Sequence, residues 1–197
     1  AFWQADLEQA AEPVVRLIRE ARPAVAVHYD ETGGYGHPDH IQAHRIAVAA
    51  LAAAADPDRY PGAGPTHRVG KRYQTAFGSS RWLDLMHAMR ERGIPLPWGY
   101  DEVLDRGGET GDGEDEAPPG TVEPLPVTTV VDVSPWLAAK RTAMACHRTQ
   151  RQDFGWAIDL PDDLASMAFG AERFVLLERD GQRPSSGIME ASLFDGQ

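Results

Sequence analysis

The chain has 197 residues, 42% of them hydrophobic and 25% charged, and its 30 acidic residues against 19 basic ones leave a formal charge of −11. These proportions are those of a globular chain and exclude collagen-like, wholly disordered and coiled-coil architectures. No Lys/Arg cluster offers the positive surface that nucleic acid requires, and no apolar run is long enough to cross a bilayer of roughly 30 Å.

The opening Ala1-Phe2-Trp3-Gln4 has neither an initiator Met nor the basic and apolar regions of a secretory leader, and is expected to begin a fragment. Leu7, Ala10, Ala11, Val14, Val15 and Ile18 fall at helical spacing and predict a helix over Asp6–Ala21, capped by Asp6 and weakest at Pro13. Ala24 to Tyr29 is a short, nearly continuous apolar run, the pattern of a strand buried on both faces of a parallel sheet. A glycine-bearing loop from Asp30 to Asp39 leads into an alanine-rich helix from Pro38 to about Ala55, since proline suits a first helical turn. A further strand is predicted over Arg68–Thr75, and a helix from Ser79 or Ser80 to Arg92, stopped by Gly93.

Residues Gly107 to Glu123 carry six acids and no base among glycines and prolines, and are read as a disordered insertion. Val127–Val133 predicts a third strand, Ser134-Pro135 starts a helix to about His147, and Phe174–Glu178 predicts a last strand. Asp162 and Asp163 sit where a helix should start and are read as caps. Cys146, the one cysteine, permits no internal disulfide; it points to a reducing, cytoplasmic setting and is expected to be buried. Alternation of helix and strand gives an α/β class: one domain over residues 1–179, a mostly parallel, Rossmann-like sheet flanked by helices, and a loose tail from 180 to 197.

Chemistry concentrates between His28 and His44, where four His, three carboxylates and two Tyr occupy 17 residues after a strand and into a helix. That is where open α/β sheets bind ligands, and imidazole with carboxylate suits metal binding or proton transfer. Gly33, Gly34 and Gly36 allow positive φ in the loop. His44 lies four residues beyond His40, a spacing that can chelate a metal but is common by chance. His28 is read as a core histidine. Asp30, at the strand end, either forms the turn or reaches a ligand.

The stretch Gly33-Gly34-Tyr35-Gly36-His37-Pro38-Asp39-His40, followed by Ala43-His44, resembles the second signature motif of the LmbE-like zinc-dependent de-N-acetylases. Within that family the likeness is nearest to the branch acting on N-acetylglucosaminyl-inositol in mycothiol biosynthesis. The resemblance implies that His40 binds zinc, with Fe²⁺ a possible substitute. It further implies that His37 stabilises the oxyanion and protonates the leaving amine, that Asp39 orients His37, and that Tyr35 donates to the tetrahedral intermediate. His147, in Ala145-Cys146-His147-Arg148-Thr149-Gln150, would line the substrate pocket, and Asp30 could meet an inositol hydroxyl. The family's other motif, His-Pro-Asp-Asp, supplies further ligands and the general base and does not occur here. The expectation is that it lies upstream of residue 1, with one or more strands.

The implied partner is a small amino-sugar substrate bearing an acetamide. A mycothiol S-conjugate amidase, an antibiotic-tailoring deacetylase and a degenerate sugar-binding domain would share this one motif. Oligomeric state leaves no signature in the sequence.

Overall fold

A computed structural model of the chain describes residues 1–34, 36–76, 79–97, 99–105, 125–185 and 187–196. The acidic insertion, Tyr35 and Trp98 lie outside them. The chain divides into two compact units, where the sequence was read as one domain: the described residues of Ala1–Phe77, Ala117–Val130 and Arg173–Gln197 form one, and those of Gly78–Glu116 and Val131–Glu172 the other.

In the first unit, helix α1 (Leu7–Ala21) begins as its sequence predicts, with Asp6 Oδ1 accepting from the Gln9 N–H at 2.9 Å. Strand β1 (Val25–His28) follows, then helix α2 (Pro38–Ala54), which has Pro38 in its first turn. Helices α1 and α2 pack through Ala11, Val15 and Ile18 against Ala50, Ala53 and Ala54; the alanines let the two backbones approach closely, and burial of this face carries α1 through Pro13. Arg19, 2% exposed, donates to the carbonyls of Ala53, Ala54, Asp56, Arg59 and Tyr60. One guanidinium thus gathers the carbonyls at the end of α2 and in the turn after it, adding a second bond to several that already accept from the backbone.

Strand β2 (Lys71–Thr75) runs parallel to β1, with Val25 opposite Lys71 and His28 opposite Gln74. Strands β3 (Thr129–Asp132) and β4 (Ala171–Arg179) complete a four-stranded sheet of order β1-β2-β4-β3. The α/β class holds, but the sheet is mixed, because β4 pairs antiparallel to β2. The run at β1 predicted burial on both faces; β1 instead stands at the sheet's edge, and Val27 is 43% exposed.

The tail is not loose. Glu190, 7% exposed, accepts from Lys71 Nζ at 2.8 Å, the Tyr73 hydroxyl at 2.5 Å, Thr129 Oγ1 at 3.2 Å and the Arg179 guanidinium. A short bridge between Glu190 and Thr129 reinforces the docking. The sequence hides this contact because Lys71 and Tyr73 are more than a hundred positions away.

The second unit is helical: α3 (Ser79–Glu91), α4 (Tyr100–Asp105), α5 (Leu137–Ala145), α6 (Arg151–Ile158) and α7 (Asp162–Phe169). Leu85, Met86 and Met89 of α3 join Leu104, Leu160, Leu164 and Ala165 in its core, and Trp82 meets Trp156 edge to face at 5.5 Å. The helix expected from Ser134 starts as a 3₁₀ turn, Ser134–Trp136, and ends at Ala145. Asp162 and Asp163 lie inside the first turn of α7, one and two positions past the Pro161 cap. There they favour the positive helix end and pair with Arg141 at 2.7 Å and Arg92 at 2.5 Å. Cys146 is exposed, not buried, because it falls at the end of α5, where its thiol meets the Thr142 carbonyl at 3.4 Å.

Candidate functional site

The loop between β1 and α2 is built on Asp30, whose Oδ1 accepts from Thr32 N at 3.0 Å, Thr32 Oγ1 at 2.7 Å and Gly34 N at 2.9 Å. Of the two uses open to Asp30 in the sequence, this geometry is the turn-forming one. The chain then passes Gly33, Gly34 and Gly36, all at positive φ. Gly33 is confined twice over. Its φ is +67°, and a Cβ there would stand 2.6 Å from His40 Cβ and 2.7 Å from the Ile41 nitrogen. Only a residue without a side chain lets the loop lie on the first turn of α2.

His37 is the N-cap of α2, its Nδ1 accepting from the Asp39 N–H at 3.2 Å. A neutral imidazole that accepts at Nδ1 carries its proton on Nε2. His40 is arranged the other way. Its Nδ1 lies 3.1 Å from the Gly33 carbonyl, which can only accept, so Nδ1 holds the proton and the lone pair is on Nε2. A backbone carbonyl behind the imidazole is how proteins orient a histidine for a metal. The two rings are 5.2 Å apart, one presenting a donor and the other a lone pair.

Tyr29 stacks on His40, with ring centroids 4.6 Å apart and planes 17° from parallel. The Tyr29 carbonyl accepts from His28 Nδ1 at 2.6 Å and from His44 Nδ1 at 2.7 Å. His28 and His44 meet edge to face at 5.4 Å. His28 is buried, as read from the sequence, and its Nε2 has no hydrogen-bond partner among the described residues. Burial holds its pKa below the ordinary value against the opposing bond to Tyr29, and the neighbouring His44 lowers it further.

Asp39 was expected to orient His37. The bond described between them runs from its backbone N–H, while its Oδ1 accepts from the Trp3 N–H at 3.0 Å. His147, exposed, lies in the second unit beside a cavity of about 210 Å³ shared with Met144, Gln150, Arg151, Phe154 and Ile158. The contributions of Tyr29 and the Gly33 carbonyl are invisible in sequence because both act through space; the glycine run is the one signal that pointed to the second.

A catalytic zinc takes three protein ligands and a water. Among the described residues no three His, Cys, Asp or Glu side chains gather to hold a metal, so they do not complete such a site. His40, with its lone pair on Nε2, suits one of the three positions.

No family model matches the chain. Individual relatives do. The chain is 40% identical over 204 residues to 1D-myo-inositol 2-acetamido-2-deoxy-alpha-D-glucopyranoside deacetylase 1 of Frankia casuarinae, which covers 99% of this chain and 60% of the relative. Enzymes of the same name from a Nocardioides species and from Streptomyces avermitilis are 37% and 38% identical, covering 100% of this chain and 62% of each relative. The chain therefore spans about three-fifths of the length of these curated relatives. That likeness runs along the whole length of the chain, and it agrees with the resemblance to the LmbE-like de-N-acetylases read from the motif that sets His37 and His40 at the head of α2.

Proposed function

We propose that the protein of which this chain is part hydrolyses the acetamide of an N-acetylglucosamine unit linked to inositol, and that zinc, or Fe²⁺ in its place, is the metal. The observation that carries this reading is the opposite use of Nδ1 in two histidines three residues apart, facing a backbone N–H in His37 and a carbonyl in His40, within a chain whose relatives are named deacetylases. Zinc supplies Lewis acidity to an amide carbonyl and acidifies a water. His40 is one of its ligands, and the others come from the part of the relatives' length that the chain does not span.

His37 Nε2–H donates to the oxygen that gains charge as the amide is attacked. The departing amine takes its proton from the same nitrogen once His37 is an imidazolium, the second proton, released by the attacking water, being held at Nδ1 in place of the bond accepted from the Asp39 N–H, and Tyr35 is the second donor to the oxyanion. Asp39 ties the head of α2 to Trp3 and so fixes the entry of His37. Asp30 holds the glycine loop in shape beside His37 and His40. The proposed setting is the cytoplasm, which suits a small polar substrate; no described helix is long and apolar enough to cross a membrane.

Metal content of the enzyme as purified, measured together with acetate release from N-acetylglucosaminyl-inositol and from a mycothiol conjugate, tests the reading. The expected result is turnover of the first substrate, loss of metal in His40→Ala, and loss of turnover with metal retained in His37→Ala. Preference for the conjugate would move the protein to the neighbouring amidase branch. Sugar binding that persists without metal or turnover would overturn the enzymatic reading altogether.

A further inference from the structure

We infer that Tyr29 is a positioning residue, which holds the His40 ring in the plane that lets Nδ1 donate to the Gly33 carbonyl and so keeps the lone pair on Nε2. The inference rests on the functional reading for its purpose, but its geometry stands apart from it. The tyrosine ring covers one face of the imidazole at 4.6 Å and 17°, so His40 cannot turn about its side-chain torsion without losing the stack. The Gly33 carbonyl stops the same rotation at the ring edge.

Tyr29 is itself anchored. Its carbonyl takes bonds from His28 at the end of β1 and from His44, one helical turn beyond His40 on α2. Tyr29 thus grips α2 at two points a turn apart: by its ring at His40 and by its carbonyl at His44. This gives His44 a role that needs no metal. It fastens the residue that orients its neighbour, and the helical spacing of the two histidines is the spacing of the two grips.

Aromatic pairs add stabilisation beyond their buried area, enough to shift a two-state ratio by roughly 2- to 10-fold. Removing the stack should lower the ratio of the Nδ1–H to the Nε2–H form of His40 by about that factor. The experiment reads the imidazole nitrogen chemical shifts of His40 in the 197-residue chain, as wild type, Tyr29→Phe and Tyr29→Leu. Wild type and Tyr29→Phe should show the Nδ1–H form alone, because phenylalanine keeps the aromatic face. Tyr29→Leu, which keeps the bulk and loses the face, should show both forms in exchange. Tyr29→Met serves in its place if the leucine variant does not fold, as judged by backbone amide signals from α1 and β2.

A folded leucine or methionine variant with the wild-type tautomer would overturn the inference and leave the Gly33 carbonyl as the sole determinant. Loss of the Nδ1–H form in Tyr29→Phe would overturn it equally, since it would place the effect on the hydroxyl. A complete enzyme that releases no acetate would defeat the functional reading while leaving these spectra unchanged, so the two fail separately.

Discussion

Replacing Glu190 by glutamine keeps the shape of the side chain and removes its charge, which isolates what the carboxylate does at the back of the sheet. The Lys71 side chain is 2% exposed and has this carboxylate as its ion-pair partner at 2.8 Å. Removing one member of a buried pair costs about 3–5 kcal/mol, because the other charge stays buried. Glutamine still offers an oxygen to Lys71 or Tyr73, so the lower end, about 3 kcal/mol, is expected. For a chain of this size that lowers Tm by about 6–12 °C.

The pH dependence follows from the same contacts. Burial alone would raise the Glu190 carboxyl, but bonds from Lys71 and Tyr73, with the Lys71 charge, outweigh it and hold the group below the ordinary 4.5. Tyr73 shifts the other way, raised by burial and by the adjacent carboxylate, and stays a donor at all relevant pH. A carboxyl lowered on folding contributes stability that is present above its unfolded value and is lost as pH falls through its folded one. The gap between wild type and Glu190→Gln should therefore be full at neutral pH and close progressively below 4.5.

Urea unfolding followed by far-ultraviolet circular dichroism, repeated down this range, measures both. A gap under about 1 kcal/mol at neutral pH would refute the reasoning, since it would rank the pair with solvent-exposed ones. Lys71→Met combined with Glu190→Leu should recover only part of the loss, because Tyr73, Thr129 and Arg179 lose the same acceptor.

Two other perturbations probe the candidate site. Gly33→Ala forces a side chain into positive φ and against His40, and should cost about 2–4 kcal/mol from strain and overpacking together; an unchanged thermal midpoint would contradict the close approach. His28, lowered on folding chiefly by burial, stays neutral after its unfolded counterpart has begun to protonate. Stability should fall as pH drops through 6.5 toward the lowered value, and His28→Gln should flatten that part of the pH profile; an equal slope in both proteins would place the titration elsewhere.

Where a local signal sufficed, the sequence was legible. Asp6 announced α1, Pro38 announced α2, and Gly93, at φ +67°, marked the stop after α3. His37 and His40 were legible because the motif places both at a helix head. Helices α4 and α6 are short, and what holds them is packing: Leu104 enters the core of the second unit and Trp156 meets Trp82. No periodicity over six or eight residues announces that. Glu190 read as tail because the residues beside it show no helical or strand period; Lys71 and Tyr73 of β2 and Thr129 of β3 create its environment from two strands. Asp39 is a different case. Its backbone and its carboxylate serve different partners, and a motif records the residue without dividing its labour.

The edge position of β1 also bears on handling. Natural sheets protect their outermost strands with lysine, proline or a bulge, because an open row of peptide groups invites another strand to join. The four residues of β1, Val-Ala-Val-His, include neither lysine nor proline, and Val27 faces solvent there. In isolation this rim is a template for strand addition, including by a second copy of itself. Low protein concentration is therefore the natural condition for work on the 197-residue chain, and cloudiness on concentrating it would trace to this rim before it traced to the core.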